Sequence, residues 1–110
     1  MTLEISPKDL KAKLDAGAGK IALIDCREAW ENSTAAIPGS ELIPMNTIPQ
    51  HLQHLEELAE NATLVVYCHH GMRSLMVINW LREQGVKECL SMSGGIDRWS
   101  CEVDFSVPRY

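Results

Sequence analysis

Residues 64–74 of the chain read LVVYCHHGMRS, and this stretch decides the fold. Its first four residues are apolar and rich in β-branched side chains, which is typical of a strand buried on both faces. Residues 74–84 then predict a helix that is apolar on most sides and that Gly85 ends. A buried strand that leads through a short loop into a helix is the repeating unit of α/β folds with a parallel sheet.

The rest of the chain shows the same alternation of short strands and helices. Residues 21–24 predict a second buried strand, closed by Asp25. The sequence therefore predicts one α/β domain over residues 1–110, with a mostly parallel central sheet and helices on both faces. Further elements are expected in the form of a helix that starts at Ser6 and Pro7 and ends at Gly17, a helical turn within residues 28–35, a strand at residues 42–43, a helix opened by Pro49, a strand at residues 90–92 and a last helix that contains Trp99.

The loop that begins at Cys68 lies where ligands bind in such folds. Asp25 and Cys68 both follow a predicted strand, and the carboxyl ends of parallel strands form the usual ligand-binding edge. Loop N–H groups, the first turn of the next helix and the guanidinium of Arg73 all favour an anion, so the Cys68 thiol is predicted to ionise. Gly71 can supply the left-handed backbone conformation that a tight loop often needs. A thiolate there is a nucleophile for sulfur or phosphorus, and an inert buried thiol is the alternative.

Composition excludes several classes of function. The 110 residues carry a net charge of −5, which argues against nucleic acid as the main partner. No apolar stretch is long enough to cross a membrane, and residues 1–13 lack the pattern of a signal peptide, so a cytoplasmic location is expected. No Cys-x-x-Cys pair occurs, so free thiols are predicted and neither a metal nor a cofactor is expected. The four cysteines are Cys26, Cys68, Cys89 and Cys101.

Four motifs resemble those of the rhodanese-like sulfurtransferase family. They are the loop at residues 68–74, the Asp-x-Arg motif at residues 25–27, the Ile-Pro-Gly turn at residues 37–39 and the Gly-Gly-x-x-x-Trp motif at residues 94–99. The resemblance extends in the right order from Ile5 to about Trp99, and it implies a rhodanese-type domain in which Cys68 forms a persulfide. The chain departs from the family at Ala36, where histidine is frequent, and at Cys26, where valine is common.

The resemblance also implies site residues and partners. Cys68 would be catalytic, and the sulfur donor would be a small molecule such as thiosulfate. The end of the chain and the doubled histidine resemble rhodanese domains fused to adenylyltransferases, so an adenylyltransferase or a sulfur-carrier protein is a candidate partner. The substrate-binding candidates are the other residues of the loop, namely His69, His70, Gly71, Met72, Arg73 and Ser74.

Two other functions stay open at this point. Phosphatases of this fold have five residues between cysteine and arginine, whereas four separate Cys68 from Arg73, so the loop suits a sulfane sulfur better than phosphate. Tyr67 also stands where cysteine phosphatases place a histidine, which further argues against a phosphatase or an arsenate reductase. A non-catalytic interaction module is the second alternative, and the intact Cys68 and Arg73 argue against it.

Several other side chains have structural interpretations. Cys26 is predicted to point into the core, with a resolving or second sulfur-carrying role as the alternative. Asp25 and Arg27 are predicted to pair or to cap near the sheet edge rather than to catalyse, and the three tryptophans are predicted to be packing residues. His69 and His70 either shape the pocket or form a solvated pair, and residues 101–110 carry little structural signal.

Overall fold

The structure is a computed structural model that describes residues 2–17 and 20–110. Strands and helices alternate along the chain, as the sequence predicts. The strands are β1 (Glu4–Ile5), β2 (Ile21–Asp25), β3 (Glu41–Leu42), β4 (Thr63–Tyr67) and β5 (Cys89–Met92). The α-helices are α1 (Pro7–Ala16), α2 (Ala29–Thr34), α3 (Leu52–Asn61), α4 (Met72–Glu83) and α5 (Gly95–Glu102), and a 3-10 helix spans Met45–His51. None of these helices combines the length and the apolar character needed to cross a membrane.

The strands form one sheet in the order β1-β5-β4-β2-β3, and every pairing between them is parallel. β4 lies in the middle, between β2 and β5. Its residues Leu64, Val65 and Val66 are completely buried, which explains why this strand gives the strongest signal in the sequence.

Side chains of the sheet alternate between two hydrophobic cores. Val66 and Cys68 face a core that α3 and α4 complete, whereas Val65 and Tyr67 face a core that α1 and α5 complete. Successive residues of a strand point to opposite sides, so the two cores lie on opposite faces of the sheet. The predicted parallel sheet with helices on both faces is therefore confirmed.

Local signals account for most helix ends. The Ser6 side chain accepts a hydrogen bond from the Asp9 N–H (3.1 Å) and caps α1 as predicted. Pro49 does not open a helix, because it lies inside the 3-10 helix and α3 begins only at Leu52. α4 begins at Met72, two residues before the predicted start, directly after the left-handed Gly71.

Gly95 sets the distance between α5 and the loop that follows β4. The N–H groups of Ile96 and Asp97 donate to the carbonyl oxygens of Cys68 (2.9 Å) and His69 (3.1 Å). Gly95 has a φ of +62°, and a Cβ at this position would lie only 2.5 Å from the Cys68 carbonyl oxygen. Glycine is therefore required for α5 to begin this close to the loop.

The substitution Gly95→Ala is expected to lower the free energy of unfolding by about 2–4 kcal/mol, because it combines a left-handed alanine with a backbone clash. Gly39→Ala is the matched control, since Gly39 also has a positive φ (+86°) but a Cβ there meets no described atom within 4 Å. The control is expected to cost about 1 kcal/mol. Urea unfolding of the two variants measures the difference, and equal losses would contradict the importance of the close approach.

Candidate active site

Cys68 follows β4 directly and is almost completely buried, with 1% of its surface exposed. The N–H of Gly71 donates to its Sγ atom (3.0 Å), and the N–H of Ser74 lies 3.4 Å from the same atom. The hydroxyl oxygen of Ser74 is 3.5 Å away and is itself fixed by the hydroxyl of Ser91 (2.7 Å). The sulfur thus lies in a pocket of hydrogen-bond donors supplied by the loop and the first turn of α4.

These surroundings stabilise the thiolate. The neighbouring thiol of Cys26, the Ser74 hydroxyl and the two N–H groups together lower the pKa of Cys68 to about 4, although burial acts in the opposite direction. The positive end of the α4 dipole favours the same charged form. The ionised Cys68 that the sequence predicts is therefore also the state that the geometry favours.

Gly71 shapes the loop around this sulfur. Its φ of +104° is left-handed, and an added Cβ would lie 3.1 Å from the backbone nitrogen of Gly94. The loop is consequently held against the turn before α5. Within the described residues, the main-chain N–H groups of His70, Met72 and Arg73 have no protein acceptor, so they are free to bind an incoming anion.

Arg73 is paired rather than free. Its two terminal nitrogens donate to the two carboxylate oxygens of Glu31 at 2.7 and 2.8 Å. Arg73 in turn lowers the pKa of the Glu31 carboxyl to about 2, so the pair is charged at neutral pH. The bidentate bridge ties the loop to α2 and cancels most of the guanidinium charge near the mouth of the site.

A second buried pair supports the first. Arg27 donates from Nε and Nη2 to the carboxylate of Asp25 (2.8 Å each), which confirms the predicted pairing. Arg27 also donates to the hydroxyl of Tyr110 (2.8 Å), and that hydroxyl donates to Glu31 (2.8 Å). The two acid–base pairs are therefore connected through one phenol.

An aromatic row borders the loop. The ring of His69 stacks on His70 (centroids 3.9 Å apart) on one side and on Tyr110 (4.0 Å) on the other. Trp30 meets Tyr110 edge to face at 6.0 Å and is 64% exposed, so it packs against this ring at the surface of the protein. Burial lowers the pKa of His69, which favours a neutral ring at pH 7.

The structure places the predicted loop residues differently with respect to the Cys68 sulfur. Gly71 and Ser74 contact Sγ directly, whereas Arg73 contacts Glu31. His70 and Met72 are exposed at the surface, and Met72 has 80% of its surface accessible. Only part of the predicted binding loop therefore touches the sulfur.

Three residues of the site were missed by the sequence analysis. Glu31 could have been found, because Glu28 and Glu31 form a capping box at the start of α2, which fixes the position of Glu31. Ser91 and Tyr110 have no local signal, because their contacts join residues distant in the chain. Residues 101–110 give little structural signal in the sequence, yet the hydroxyl of Tyr110 binds both Arg27 and Glu31.

Comparisons by sequence and by structure both find rhodanese-like relatives. A sequence model of the family described as "Rhodanese-like domain" matches residues 6–102. A protein named "Sulfurtransferase" from Allochromatium vinosum is 31% identical over 100 residues, which are 91% of this chain and 90% of that protein. The crystal structure of a rhodanese-like domain protein from Staphylococcus aureus has a TM-score of 0.79 and 28% identity, and covers 100% of this chain and 99% of that chain.

Some relatives are much longer than this chain. The Mycobacterium tuberculosis protein named "Probable adenylyltransferase/sulfurtransferase MoeZ" is 32% identical over 106 residues. The match covers 96% of this chain but only 26% of that protein. The chain thus spans roughly a quarter of the length of relatives of this type.

Alkylation of Cys68 by iodoacetamide is expected to be almost independent of pH from about pH 8 to about pH 5, because its pKa is lowered to about 4. An ordinary thiol would slow about tenfold for each unit below its pKa of about 8.5. The rate is measured by mass spectrometry in Cys101→Ser protein, which lacks the exposed cysteine. Adding Cys68→Ser should abolish the reaction, and a rate that falls steadily below pH 8 would contradict the stabilised thiolate.

Proposed function

Because this chain belongs to the rhodanese-like domain family, we propose that it is a sulfurtransferase in which Cys68 carries sulfane sulfur as a persulfide. Residues 1–110 would form one catalytic domain. The observation that supports this most directly is that the Cys68 sulfur accepts hydrogen bonds from two backbone N–H groups. Among the residues that the structure describes, further N–H groups of the same loop have no protein acceptor. Such a site stabilises both a nucleophilic thiolate and an anion bound to it.

In the first step the Cys68 thiolate attacks the sulfane sulfur of a donor. With thiosulfate, the new bond joins Sγ to the outer sulfur, the bond to the oxidised sulfur breaks, and sulfite leaves with the bonding electron pair. The negative charge then lies on the outer sulfur of the persulfide. The free N–H groups of His70, Met72 and Arg73 are the donors available to stabilise it.

In the second step a nucleophilic acceptor removes the outer sulfur. Cys68 is then the leaving group, and a thiol with a low pKa leaves readily as the thiolate. The same hydrogen bonds that activate the nucleophile therefore also favour its release. Neither half of the cycle needs a metal or a cofactor to balance.

Arg73 is proposed to orient the donor with the N–H groups that Glu31 leaves unused. A guanidinium has five N–H donors, and the bridge to Glu31 occupies two of them. Because Glu31 cancels the charge, Arg73 would supply hydrogen bonds of fixed direction more than a net positive field.

The physiological partner is proposed to be a sulfur-carrier protein or an adenylyltransferase. This rests on the similarity to the Mycobacterium tuberculosis protein, whose name joins an adenylyltransferase to a sulfurtransferase. A reducing compartment such as the cytoplasm is proposed because the mechanism requires Cys68 as a free thiol.

The protein is expected to produce thiocyanate from thiosulfate and cyanide, because excess cyanide intercepts the persulfide as it forms. Cys68→Ser should reduce the rate to the uncatalysed level, whereas Cys101→Ser should leave it unchanged. Hydrolysis of a chromogenic phosphate ester is measured in parallel. Phosphatase activity without thiocyanate formation, or thiocyanate formation that persists in Cys68→Ser, would overturn the proposal.

The substitution Arg73→Ala is expected to raise the KM for thiosulfate and also to cost on the order of 2 kcal/mol of stability, because it leaves the Glu31 carboxylate unpaired. This loss is smaller than for a fully buried pair, since the Arg73 side chain is 31% exposed. Urea unfolding and the thiocyanate assay measure the two effects.

The double variant Glu31→Gln with Arg73→Ala separates these effects, because it removes the unpaired charge without restoring the guanidinium. Stability should recover in part while the KM for thiosulfate stays high. Glu31→Gln alone keeps Arg73 and should not raise that KM. If the KM recovers together with stability in the double variant, Arg73 has only a structural role.

A further inference from the structure

A second thiol lies beside Cys68. The parallel register of β2 and β4 pairs Ile24 with Val66 and Asp25 with Tyr67. The N–H of Cys26 continues this ladder by donating to the Tyr67 carbonyl oxygen (3.1 Å), so Cys26 is opposite Cys68. The prediction that Cys26 points into the core is confirmed, and the core in question is the one that contains Cys68.

The spacing of the two cysteines suits a disulfide. Neighbouring strands lie about 4.8 Å apart, and disulfides join residues whose Cα atoms are about 4.4–6.8 Å apart. Both cysteines are 1% exposed and both side chains are on the same face of the sheet. Their thiols also influence each other, since the Cys68 thiolate raises the pKa of Cys26.

We propose that Cys26 discharges the Cys68 persulfide inside the protein, releasing hydrogen sulfide and leaving a Cys26–Cys68 disulfide. This inference rests on the proposed function, because it requires the persulfide as its starting point. It adds a reductive activity to the site: the sulfur would leave as sulfide, with the two thiols of the chain as the reductant.

The step balances without an external oxidant. The Cys26 sulfur attacks the inner sulfur of the persulfide, a bond forms between the two Sγ atoms, and the bond from the Cys68 Sγ to the outer sulfur breaks. The outer sulfur takes the electron pair and is reduced to hydrosulfide, and it receives the Cys26 proton. The two cysteine sulfurs are oxidised to the disulfide level.

The surroundings favour attack on the inner sulfur. The leaving hydrosulfide is an anion, and the free N–H groups of His70, Met72 and Arg73 are available to bind it. Attack on the outer sulfur would instead place an additional sulfur on Cys26, in a closely packed core that includes Ile24 and Val66. Once the persulfide has formed, the negative charge lies on the outer sulfur and no longer on Sγ. The effect of the Cys68 charge that raises the pKa of Cys26 is therefore weaker.

A dithiol must complete the cycle. The disulfide has to be reduced before Cys68 can attack another donor, and a small dithiol can do so through thiol–disulfide exchange. The full reaction would convert a sulfane-sulfur donor and a dithiol into sulfide and a disulfide. The acceptor class for this activity is therefore a dithiol reductant.

The experiment compares Cys101→Ser protein with the same protein carrying Cys26→Ala, after thiosulfate treatment without cyanide. The first is expected to lose two hydrogen atoms by whole-protein mass spectrometry and to release about one sulfide per chain. The second should instead gain about 32 Da, the mass of one sulfur, and release at least about tenfold less sulfide until dithiothreitol is added.

Cys89→Ala, in the same Cys101→Ser background, is the matched control, because Cys89 is another buried thiol and lies at the start of β5. It should behave like the protein that retains Cys26. Cys26→Val, with the residue that is common in the family, provides a second variant if the alanine fails to fold. A stable gain of one sulfur in protein that retains Cys26, without sulfide release, would overturn this inference and leave the proposed function intact. No gain of sulfur in either Cys26 variant would overturn the proposed function itself.

Discussion

The structure depends on keeping one anionic sulfur inside the protein. A buried charge is costly unless hydrogen bonds replace the lost water, and Cys68 is 1% exposed. The end of β4 fixes the position of the atom, and the N–H groups of Gly71 and Ser74 bind it. α5 in turn fixes the loop by donating two backbone hydrogen bonds to it, which is possible only because Gly95 carries no side chain.

The charges around this sulfur are arranged in pairs. Arg73 is bound by Glu31 and Arg27 by Asp25, and the hydroxyl of Tyr110 joins the two pairs. The pairing makes the loop rigid without leaving a free cation beside the thiolate. Stabilisation of the anion is therefore left to the Cys26 thiol, the Ser74 hydroxyl and the N–H groups of Ser74 and Gly71, all of which act at short range.

What the sequence could predict follows the range of each interaction. Strand β4, the cap at Ser6 and the loop at Cys68 are determined by neighbouring residues, and the structure has them where they are expected. Tyr110 was missed because its partners, Arg27 and Glu31, lie about 80 residues away in the chain. No local pattern could show that a tail rich in polar residues places one ring against the loop at residues 68–74.

The position of Cys26 shows how such long-range geometry can still be derived from simple rules. A parallel sheet pairs residues in a fixed register, so two residues that each follow the end of adjacent strands must lie side by side. Cys26 and Cys68 are two such residues. Side chains alternate between the two faces along each strand, so these two paired residues lie on the same face. Valine at position 26 would only pack against Cys68, whereas the thiol of Cys26 is the group that the proposed reaction requires. The same register that builds the core therefore places a second thiol beside Cys68, which is the arrangement that the proposed disulfide requires.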